Sequence, residues 1–317
     1  MTMRDALISF PMFGEDFVIN PPASLNALLE RLGVSPLPFD IYFYGLIIAM
    51  GFLLAVAYTA KFHDRLDISM DDVYDLVIFA LPSAIVGARL YYVIFNFSLY
   101  TDDLMGIFRI RDGGLAIYGG VIGAVVALVL RCRHKKIPLG KALDVAAFGL
   151  LIGQCVGRWG NFFNREAFGY ETDVFCRMGL TLPGRETVYY HPTFLYESLW
   201  NLLGLLILHF LCKKRRKYQG QFFILYVAWY GLGRAWIEGL RTDSLWLIPD
   251  VIRVSQLLAV VSCAAAVCVY VLNARRLRQG RGPLLGGAID GHDTMEAGEE
   301  INEQSPDGAS GGEDNHS

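Results

Sequence analysis

Seven apolar segments follow one another between residues 41 and 272, and polar or charged residues separate them. Most of them reach the ~20 residues that a helix needs to cross the ~30 Å hydrocarbon core of a bilayer. They are predicted to be helices, because a backbone exposed to lipid must satisfy its own hydrogen bonds. The predicted spans are Ile41–Ala60, Val73–Phe95, Leu115–Leu130, Leu143–Arg158, Thr193–Leu211, Gln221–Glu238 and Val251–Leu272.

The regions outside these spans have a different composition. The first forty residues are mixed and rich in proline, and Ser24–Leu32 is predicted to be a short amphipathic helix at an interface. From residue 281 onward the chain is mostly Gly, Ser, Asp and Glu, which is typical of disorder. We therefore expect an extracytoplasmic segment (1–40), a transmembrane core (41–272) with a small extracytoplasmic head (161–192), and a cytoplasmic disordered acidic tail (273–317).

Lysine and arginine are unevenly distributed between the connecting segments. Segments 61–72, 131–142, 213–220 and 273–281 hold 16 of them, whereas the alternate segments hold 8. Short basic loops stay in the cytoplasm, so the amino terminus is predicted outside and the carboxy terminus inside. The run KKRRK within the third of these segments is interpreted as such a loop rather than as a nucleic-acid patch.

Composition agrees with an all-α polytopic membrane protein. The 317 residues are 54% hydrophobic and 19% charged, and their mean hydropathy is +0.37. A chain with these values is too apolar to be a soluble domain of this length. The net charge of −3 hides a balance of −8 over residues 281–317, which leaves +5 on the rest. No Cys, His or carboxylate cluster has metal-ligand spacing, so no metal site is expected.

The most polar stretch next to an apolar span is GRWGNFFNREAFG, residues 157–169. A polar cluster at the mouth of a membrane helix is costly to place, which makes it a candidate functional site. Arg158 offers a planar fork of donors to a phosphate or carboxylate. Asn161 and Glu166 add an amide and a carboxylate, and Gly169 allows the backbone to come close to a ligand or another helix.

With this orientation the polar residues of the spans fall in their outer halves, and the inner halves are nearly bare. Tyr230, Arg234 and Glu238 are spaced four residues apart, which puts them on one helix face. Arg241, seven residues after Arg234, falls on the same face. One site for an anionic lipid headgroup, within the outer leaflet, is therefore predicted. Its other members in or beside the spans are Tyr44, Arg89, Tyr118 and Arg158.

This asymmetry distinguishes between classes of membrane protein. A transporter needs polar lining near the midplane, and a channel needs a continuous polar path; neither is visible. A serine protease would need a Ser–His pair on the spans. His191 and Ser198 are present, but His191 lies in a loop and is expected to have a structural hydrogen-bonding role. An enzyme acting on an anionic lipid is favoured, and a transporter or flippase of an anionic lipid or solute is the alternative.

Several motifs occur in order along the same region. With GRWGNFFNREAFG they make the chain resemble the prolipoprotein diacylglyceryl transferase family over nearly all of residues 40–272. Tyr118 departs from some members, which have histidine there, so a histidine base is not expected at that position. The supporting motifs are FYG (43–45), GARLYYV (87–93), GGLAIYGGVIGA (113–124), HPTFLYES (191–198) and YGLGRAWIEGLR (230–241).

The resemblance implies the first step of bacterial lipoprotein maturation. Such enzymes move the diacylglyceryl group of phosphatidylglycerol to the thiol of the lipobox cysteine in the signal peptide of a preprolipoprotein. Glycerol phosphate leaves, a thioether forms, and no cofactor is needed. The expected location is the bacterial plasma membrane, with the active site facing the outer leaflet and the bilayer itself as a partner.

The resemblance also implies roles for the candidate residues. Arg158 is expected to bind the lipid phosphate, and Arg234 to act on the leaving group and the incoming thiol. The tyrosines are candidate hydrogen-bond donors or proton relays. The expected catalytic residues are Arg234, Glu238, Tyr44 and Tyr118, and the expected substrate-binding residues are Arg158, Asn161, Glu166, Gly169, Arg89, Tyr230 and Arg241.

Overall fold

A computed structural model of the protein describes residues 6–14, 16–110, 113–212, 216–242, 246–248, 252–284 and Gly287. The acidic segment from residue 288 onward, which was predicted to be disordered, lies outside the described residues. The described chain is mostly helical, with a short first helix, seven long ones and six short strands. The helices are α1 (Leu25–Arg31), α2 (Phe43–Phe62), α3 (Met70–Phe95), α4 (Ile117–Lys135), α5 (Leu139–Asn164), α6 (Thr193–Cys212), α7 (Gln221–Ile237) and α8 (Val254–Arg278).

Each of the seven predicted apolar segments coincides with one of the helices α2–α8. Six of these helices (α2, α3, α4, α5, α6 and α8) are long and apolar enough to cross a membrane, as in a multi-pass membrane protein. The remaining helix, α7, has 17 residues. Helix α8 continues past the predicted end at Leu272 to Arg278, because arginine is a good helix former and suits the negative end of a helix dipole.

A small antiparallel sheet, which we call the head, joins the amino-terminal segment to the connection between α5 and α6. Its strands lie in the order β2-β1-β3-β4. Buried Ile8 pairs with buried Leu180, which in turn pairs with Val188. The prediction of an all-α chain is wrong here, because strands of two to four residues are too short to show alternation in the sequence. The strands are β1 (Leu7–Ser9), β2 (Val18–Ile19), β3 (Met178–Thr181) and β4 (Thr187–Tyr190), and β5 (Trp246–Ile248) and β6 (Ile252–Arg253) form a separate hairpin.

Arg165 ties the amino-terminal segment to the end of α5. It adopts a left-handed conformation (φ +50°) and so terminates the helix. Its buried guanidinium donates to the carbonyls of Ala6 at 3.1 Å and Pro21 at 2.6 Å, and to Asn20 Oδ1 at 2.9 Å. The arginine in the middle of the 157–169 motif therefore has a structural role, because its donors face the head.

Helix α5 is central to the bundle and packs against α2, α4, α6 and α7. Phe148 and Leu151 on α5 form the main core with Leu208 of α6 and with Phe222 and Tyr226 of α7. Ordinary apolar packing thus fixes three neighbouring helices, and the polar ends of these same helices form the site described below.

Helices α3 and α4 form a second close pair. A Cβ atom placed on Gly119 would lie 2.3 Å from the carbonyl oxygen of Gly87, and one on Gly123 would lie 2.3 Å from that of Ser83. Glycine at these positions lets the two backbones touch, as small residues do at the interfaces of membrane helices. Any larger side chain at either position would push the helices apart.

A buried carboxylate of α5 caps the start of α7. Asp144, which is fully buried, accepts hydrogen bonds from the amides of Gly220 (2.9 Å), Phe222 (2.8 Å) and Phe223 (3.1 Å). The first amides of a helix have no partner within it, and a negative charge there is favourable. Arg216 lies 3.4 Å from the same carboxylate and balances its charge. This contact sets the position of α7 along α5.

We predict that Asp144→Ala destabilises the protein strongly. The substitution leaves three amides and the Arg216 guanidinium without their buried partner, which costs about 2–4 kcal/mol of the free energy of unfolding. Asp67→Ala is the matched control, because Asp67 pairs with the same Arg216 at 2.7 Å but is partly exposed. That change should cost less than about 1 kcal/mol. Thermal unfolding in detergent measures both, and equal losses would contradict the capping role.

Candidate active site

A single buried carboxylate joins the ends of three chain segments. Glu197, near the start of α6, is 4% exposed. Its Oε1 accepts from Arg234 Nη1 at 3.2 Å and from Arg241 Nη1 at 3.1 Å, and its Oε2 forms an ion pair with Arg158 Nη2. A buried charge is costly unless it is paired. Three arginines from α5, from α7 and from the turn after α7 therefore converge on one point.

Glu238 provides a second carboxylate at the same place. It is 1% exposed and lies one helical turn after Arg234, whose Nη2 approaches its Oε2 to 2.5 Å. We call these five side chains the arginine cluster. Its three guanidinium groups face two carboxylates, which leaves one positive charge in surplus. Such a surplus in a largely water-excluded position attracts an anion. The members of the cluster are Arg158, Arg234, Arg241, Glu197 and Glu238.

The end of α5 holds Arg158 from its other side. Arg158 Nη1 donates to Asn161 Oδ1 at 3.5 Å, and Asn161 Nδ2 donates to Glu166 Oε1 at 2.9 Å. Asn164 Nδ2 reaches the same oxygen at 3.3 Å. The structure thus connects four residues of the 157–169 motif in one hydrogen-bonded chain that begins at the arginine cluster. Because α5 ends at Asn164, this chain lies where the helix gives way to the head.

Tyr44 packs directly on the same turn of α5. A Cβ atom on Gly160 would lie 2.6 Å from Cδ2 of the tyrosine ring. Glycine is therefore required at that position for the ring to lie against the helix. The phenol is partly exposed, at 38% for the residue, and Gly160 lies between Arg158 and Asn161 in the sequence. The structure therefore places Tyr44 against the end of α5 that also carries Arg158.

Gly169 fixes the backbone that carries Arg241. The two residues form an isolated antiparallel bridge, and a Cβ atom on Gly169 would lie 2.6 Å from the carbonyl oxygen of Leu240. The amide of Gly169 also donates to the carbonyl of His191 at 2.9 Å. Gly169 was expected to let the backbone come close to a ligand or another helix. In the structure the backbone there comes close to the turn after α7, and this contact joins the 157–169 motif to that turn.

His191 and its neighbours form a polar layer between the arginine cluster and the head. His191 Nδ1 and Cys176 Sγ each lie 3.3 Å from the hydroxyl of Tyr196, whose ring stacks on Trp236. Burial lowers the pKa of His191 below its ordinary value of 6.5, so the imidazole is neutral at neutral pH. This agrees with the expectation that the histidine has a structural hydrogen-bonding role.

Ser198 does not form a protease-like pair with His191. Its hydroxyl donates to the carbonyl of Cys155 at 2.9 Å and accepts from Trp159 Nε1 at 3.2 Å. Both contacts hold the first turn of α6 against α5. Ser198 therefore positions Glu197, the residue that precedes it in the chain.

Arg89 was predicted to bind substrate, but the structure uses its guanidinium elsewhere. The side chain is buried near the end of α3, and the five N–H groups of a guanidinium match the five carbonyls around it. All of these carbonyls belong to the connection between α3 and α4. The donors that the prediction assigned to a phosphate therefore hold this connection in place. The acceptors are Gly106, Ile107, Arg109, Gly113 and Gly114, at 2.7–3.4 Å.

The two remaining tyrosines do not join the cluster either. Tyr118 lies in the first turn of α4 and is 52% exposed. Tyr230 stacks on Tyr226, with ring centroids 5.9 Å apart, and so belongs to the core between α5 and α7. Among the residues that the structure describes, neither phenol donates a hydrogen bond to the arginine cluster.

Glu197 is the functional residue that the sequence analysis left without a role. It belongs to the motif HPTFLYES at the start of the fifth predicted span, but no partner was assigned to it. A signal was present, because an acid inside an apolar span needs cationic partners and marks a functional site. The nearest cations in the sequence lie far away along the chain, so only the fold reveals which arginines it pairs with.

Comparison with known proteins agrees with these features. A family model described as prolipoprotein diacylglyceryl transferase matches residues 33–272. The phosphatidylglycerol–prolipoprotein diacylglyceryl transferase of Lactiplantibacillus plantarum is 46% identical over 246 residues, which is 75% of this chain and 86% of that protein. Proteins of the same name from Bacillus cereus and Bacillus anthracis are each 42% identical over 258 residues, or 79% of this chain and 94% of theirs. The chain therefore belongs to the prolipoprotein diacylglyceryl transferase family.

Proposed function

We propose that this family member transfers the diacylglyceryl group of phosphatidylglycerol to the thiol of the lipobox cysteine in the signal peptide of a prolipoprotein. The names of its relatives state both kinds of substrate. The observation that carries the proposal is the arginine cluster, in which three guanidinium groups face Glu197 and Glu238 with one positive charge in surplus. The alternative of a transporter or flippase is not favoured, since these relatives are named as transferases.

The site is proposed to face the outer leaflet of the bacterial plasma membrane. The arginine cluster lies at one end of the bundle, near the ends of α5 and α7 and the start of α6. The ends of α4 and α8 carry basic residues in their last turns. Because successive long helices run in opposite directions, these ends lie on the opposite side of the bundle. If the basic end is cytoplasmic, the site faces outward. Helix α7 then crosses as the sixth of seven spans, its length of ~26 Å extended by the turn Glu238–Leu240.

Substrate binding follows from the charge of the cluster. The phosphodiester of phosphatidylglycerol carries one negative charge, which matches the one surplus positive charge of the arginine cluster. Arg158 and Arg234 are partly exposed, at 21% and 17% of their side chains, and both contact Glu197. A phosphate placed beside this carboxylate therefore meets donors from both arginines. Asn161 and Glu166 hold Arg158 in that orientation.

The chemical step is a displacement at a glycerol carbon. A carbon–sulfur bond forms, the carbon–oxygen bond to the phosphate breaks, and the thiol proton passes to a base or to water. A free cysteine has a pKa of about 8.5, and nearby positive charge favours its thiolate. The leaving glycerol phosphate gains negative charge as the bond breaks. Donors from Arg234 stabilise that charge, and one such donor contributes about 3–4 kcal/mol in other enzymes.

The other residues have supporting roles in this proposal. Glu197 and Glu238 position the arginines and do not contact the reacting atoms. Tyr44, which packs against Gly160 at the same end of α5, is a candidate donor to the lipid headgroup. Tyr118 remains a candidate proton relay. It lies on the neighbouring helix pair α3–α4, so it would act on a substrate bound between that pair and the arginine cluster.

We predict that Arg234→Ala abolishes transfer. Without this guanidinium the leaving phosphate loses its charge stabilisation, and the rate should fall by about 100-fold or more. The purified protein is supplied with phosphatidylglycerol and a lipobox peptide, and released glycerol phosphate and the heavier peptide are measured. Arg278→Ala, at the exposed far end of α8, is the matched control and should keep full activity. Full activity of the Arg234 variant would remove the proposed role, and lipid movement without peptide modification would favour the transporter.

Glu197→Gln should lower kcat more than it raises KM for the lipid. The amide keeps the shape of the side chain but no longer balances three guanidinium groups, so they separate. Misplacement of a catalytic group by about 1 Å can cost about 100-fold in rate. Glu197→Asp, which keeps the charge at a shorter reach, should recover part of the loss. If both variants have the same activity as the unchanged protein, the carboxylate does not organise the site.

Arg89→Lys should affect stability and not lipid binding. A lysine cannot satisfy five carbonyls, so the connection between α3 and α4 loosens and the unfolding temperature falls. Arg158→Lys should instead raise KM for phosphatidylglycerol, because it removes the fork that binds the phosphate. A raised KM in the Arg89 variant, with an unchanged unfolding temperature, would restore its predicted role in substrate binding.

A further inference from the structure

The end of the molecule away from the arginine cluster has a strongly basic surface. Residues 131–142, 213–220 and 273–281 contain 14 lysines and arginines and no acidic residue. Many of those that the structure describes are exposed and have no carboxylate beside them. We call this surface the basic face. Its exposed members include Arg133, Lys136, Lys217, Arg275 and Arg278.

Contacts between the segments show that they form one surface. A Cβ atom on Gly140, at the start of α5, would lie 2.8 Å from the backbone of Gln219. Tyr218, beside it, is buried against Ala266 and Leu277 of α8. The loop before α7 therefore lies between the end of α4 and the end of α8, and the positive charges of all three are neighbours.

The chain that follows α8 returns to this surface. Arg276 Nε donates to the carbonyl of Gly282 at 2.9 Å, and Asn273 Oδ1 accepts from the amide of Leu284 at 2.8 Å. The carbonyl of Gly287 then accepts from the amide of Gln219 at 3.1 Å. Gly287, the last described residue, thus lies beside the loop before α7, two residues after Lys217 in that loop.

The segment that starts there has the opposite charge. Residues 288–317 contain nine acidic residues and no lysine or arginine. A flexible chain of thirty residues spans about 30 Å on average, which is enough to cross several helices packed 8–10 Å apart. Its tether at Gly287 gives it an effective concentration on the order of millimolar at the basic face. Free anionic headgroups have no such tether.

We propose that residues 288–317 bind to the basic face of the same chain and shield it from other anions, anionic lipid headgroups included. Each exposed ion pair is weak, so the binding depends on the sum of many pairs and on salt. The segment lies beyond the region that the family model matches. The interaction is therefore a property of this chain, independent of the transfer reaction proposed above.

Zero-length carbodiimide cross-linking of the full-length protein tests the proposal. The reagent joins a carboxylate to a lysine amine only where the two touch, and mass spectrometry locates the links. We expect links from residues 288–317 to Lys135, Lys136 and Lys217, and their loss in about 1 M salt, where the Debye length is ~3 Å. A mixture of isotopically light and heavy protein separates links within one chain from links between copies. Links only between copies would overturn the proposal.

A charge-neutralised variant provides the matched control. All nine acids of the segment are changed to their amides (Asp→Asn and Glu→Gln), which keeps length and shape. The labelling rate of Lys136 and Lys217 by an amine reagent should rise several-fold relative to Lys61, an exposed lysine in the last turn of α2, which four acids follow within residues 62–72. Equal rates in the two proteins would overturn the proposal. So would loss of the cross-links when the unchanged protein enters bilayers containing anionic lipid, because headgroups would then be the occupant.

Discussion

The structure depends on the pairing of Glu197 with three arginines inside a membrane bundle. A carboxylate buried at this depth is tolerated only with cationic partners, and no single segment of the chain supplies them. Arg158 comes from the end of α5, Arg234 from α7 and Arg241 from the turn beyond it. The ends of these elements must therefore meet. The electrostatic requirement that makes the site costly is the same one that assembles it.

Helix α7 shows how the two ends of the bundle cooperate. Its first amides are capped by Asp144 of α5, and its last turn is held through Arg234 by Glu197 of α6 and by Glu238. Between these polar contacts, Phe222 and Tyr226 pack into the main apolar core. The helix has only 17 residues, but both of its ends are anchored by charge. A guanidinium on such a helix is held in a defined place, as catalysis by charge stabilisation requires.

The parts of the fold and site that follow from local chemistry could be predicted from the sequence. Long apolar segments gave the helices, and the spacing of Arg234 and Glu238 placed them on one face. The partners of Arg89 could not be predicted, because they are backbone carbonyls, which leave no trace in side-chain identity. The head was missed because its strands are too short to show a period. Glu197 could be noticed but not assigned, since its partners are set by tertiary packing alone.

The sharing of one carboxylate by three guanidinium groups makes these four side chains a single energetic unit. When one arginine is removed, the others re-pair with the oxygen that it vacates, and the local balance of charge changes for all of them. The effects of two substitutions within the unit are then not additive, and a thermodynamic cycle would give a coupling energy rather than two separate contributions. A substitution at one of these four positions is therefore tolerated only together with compensating substitutions at the others.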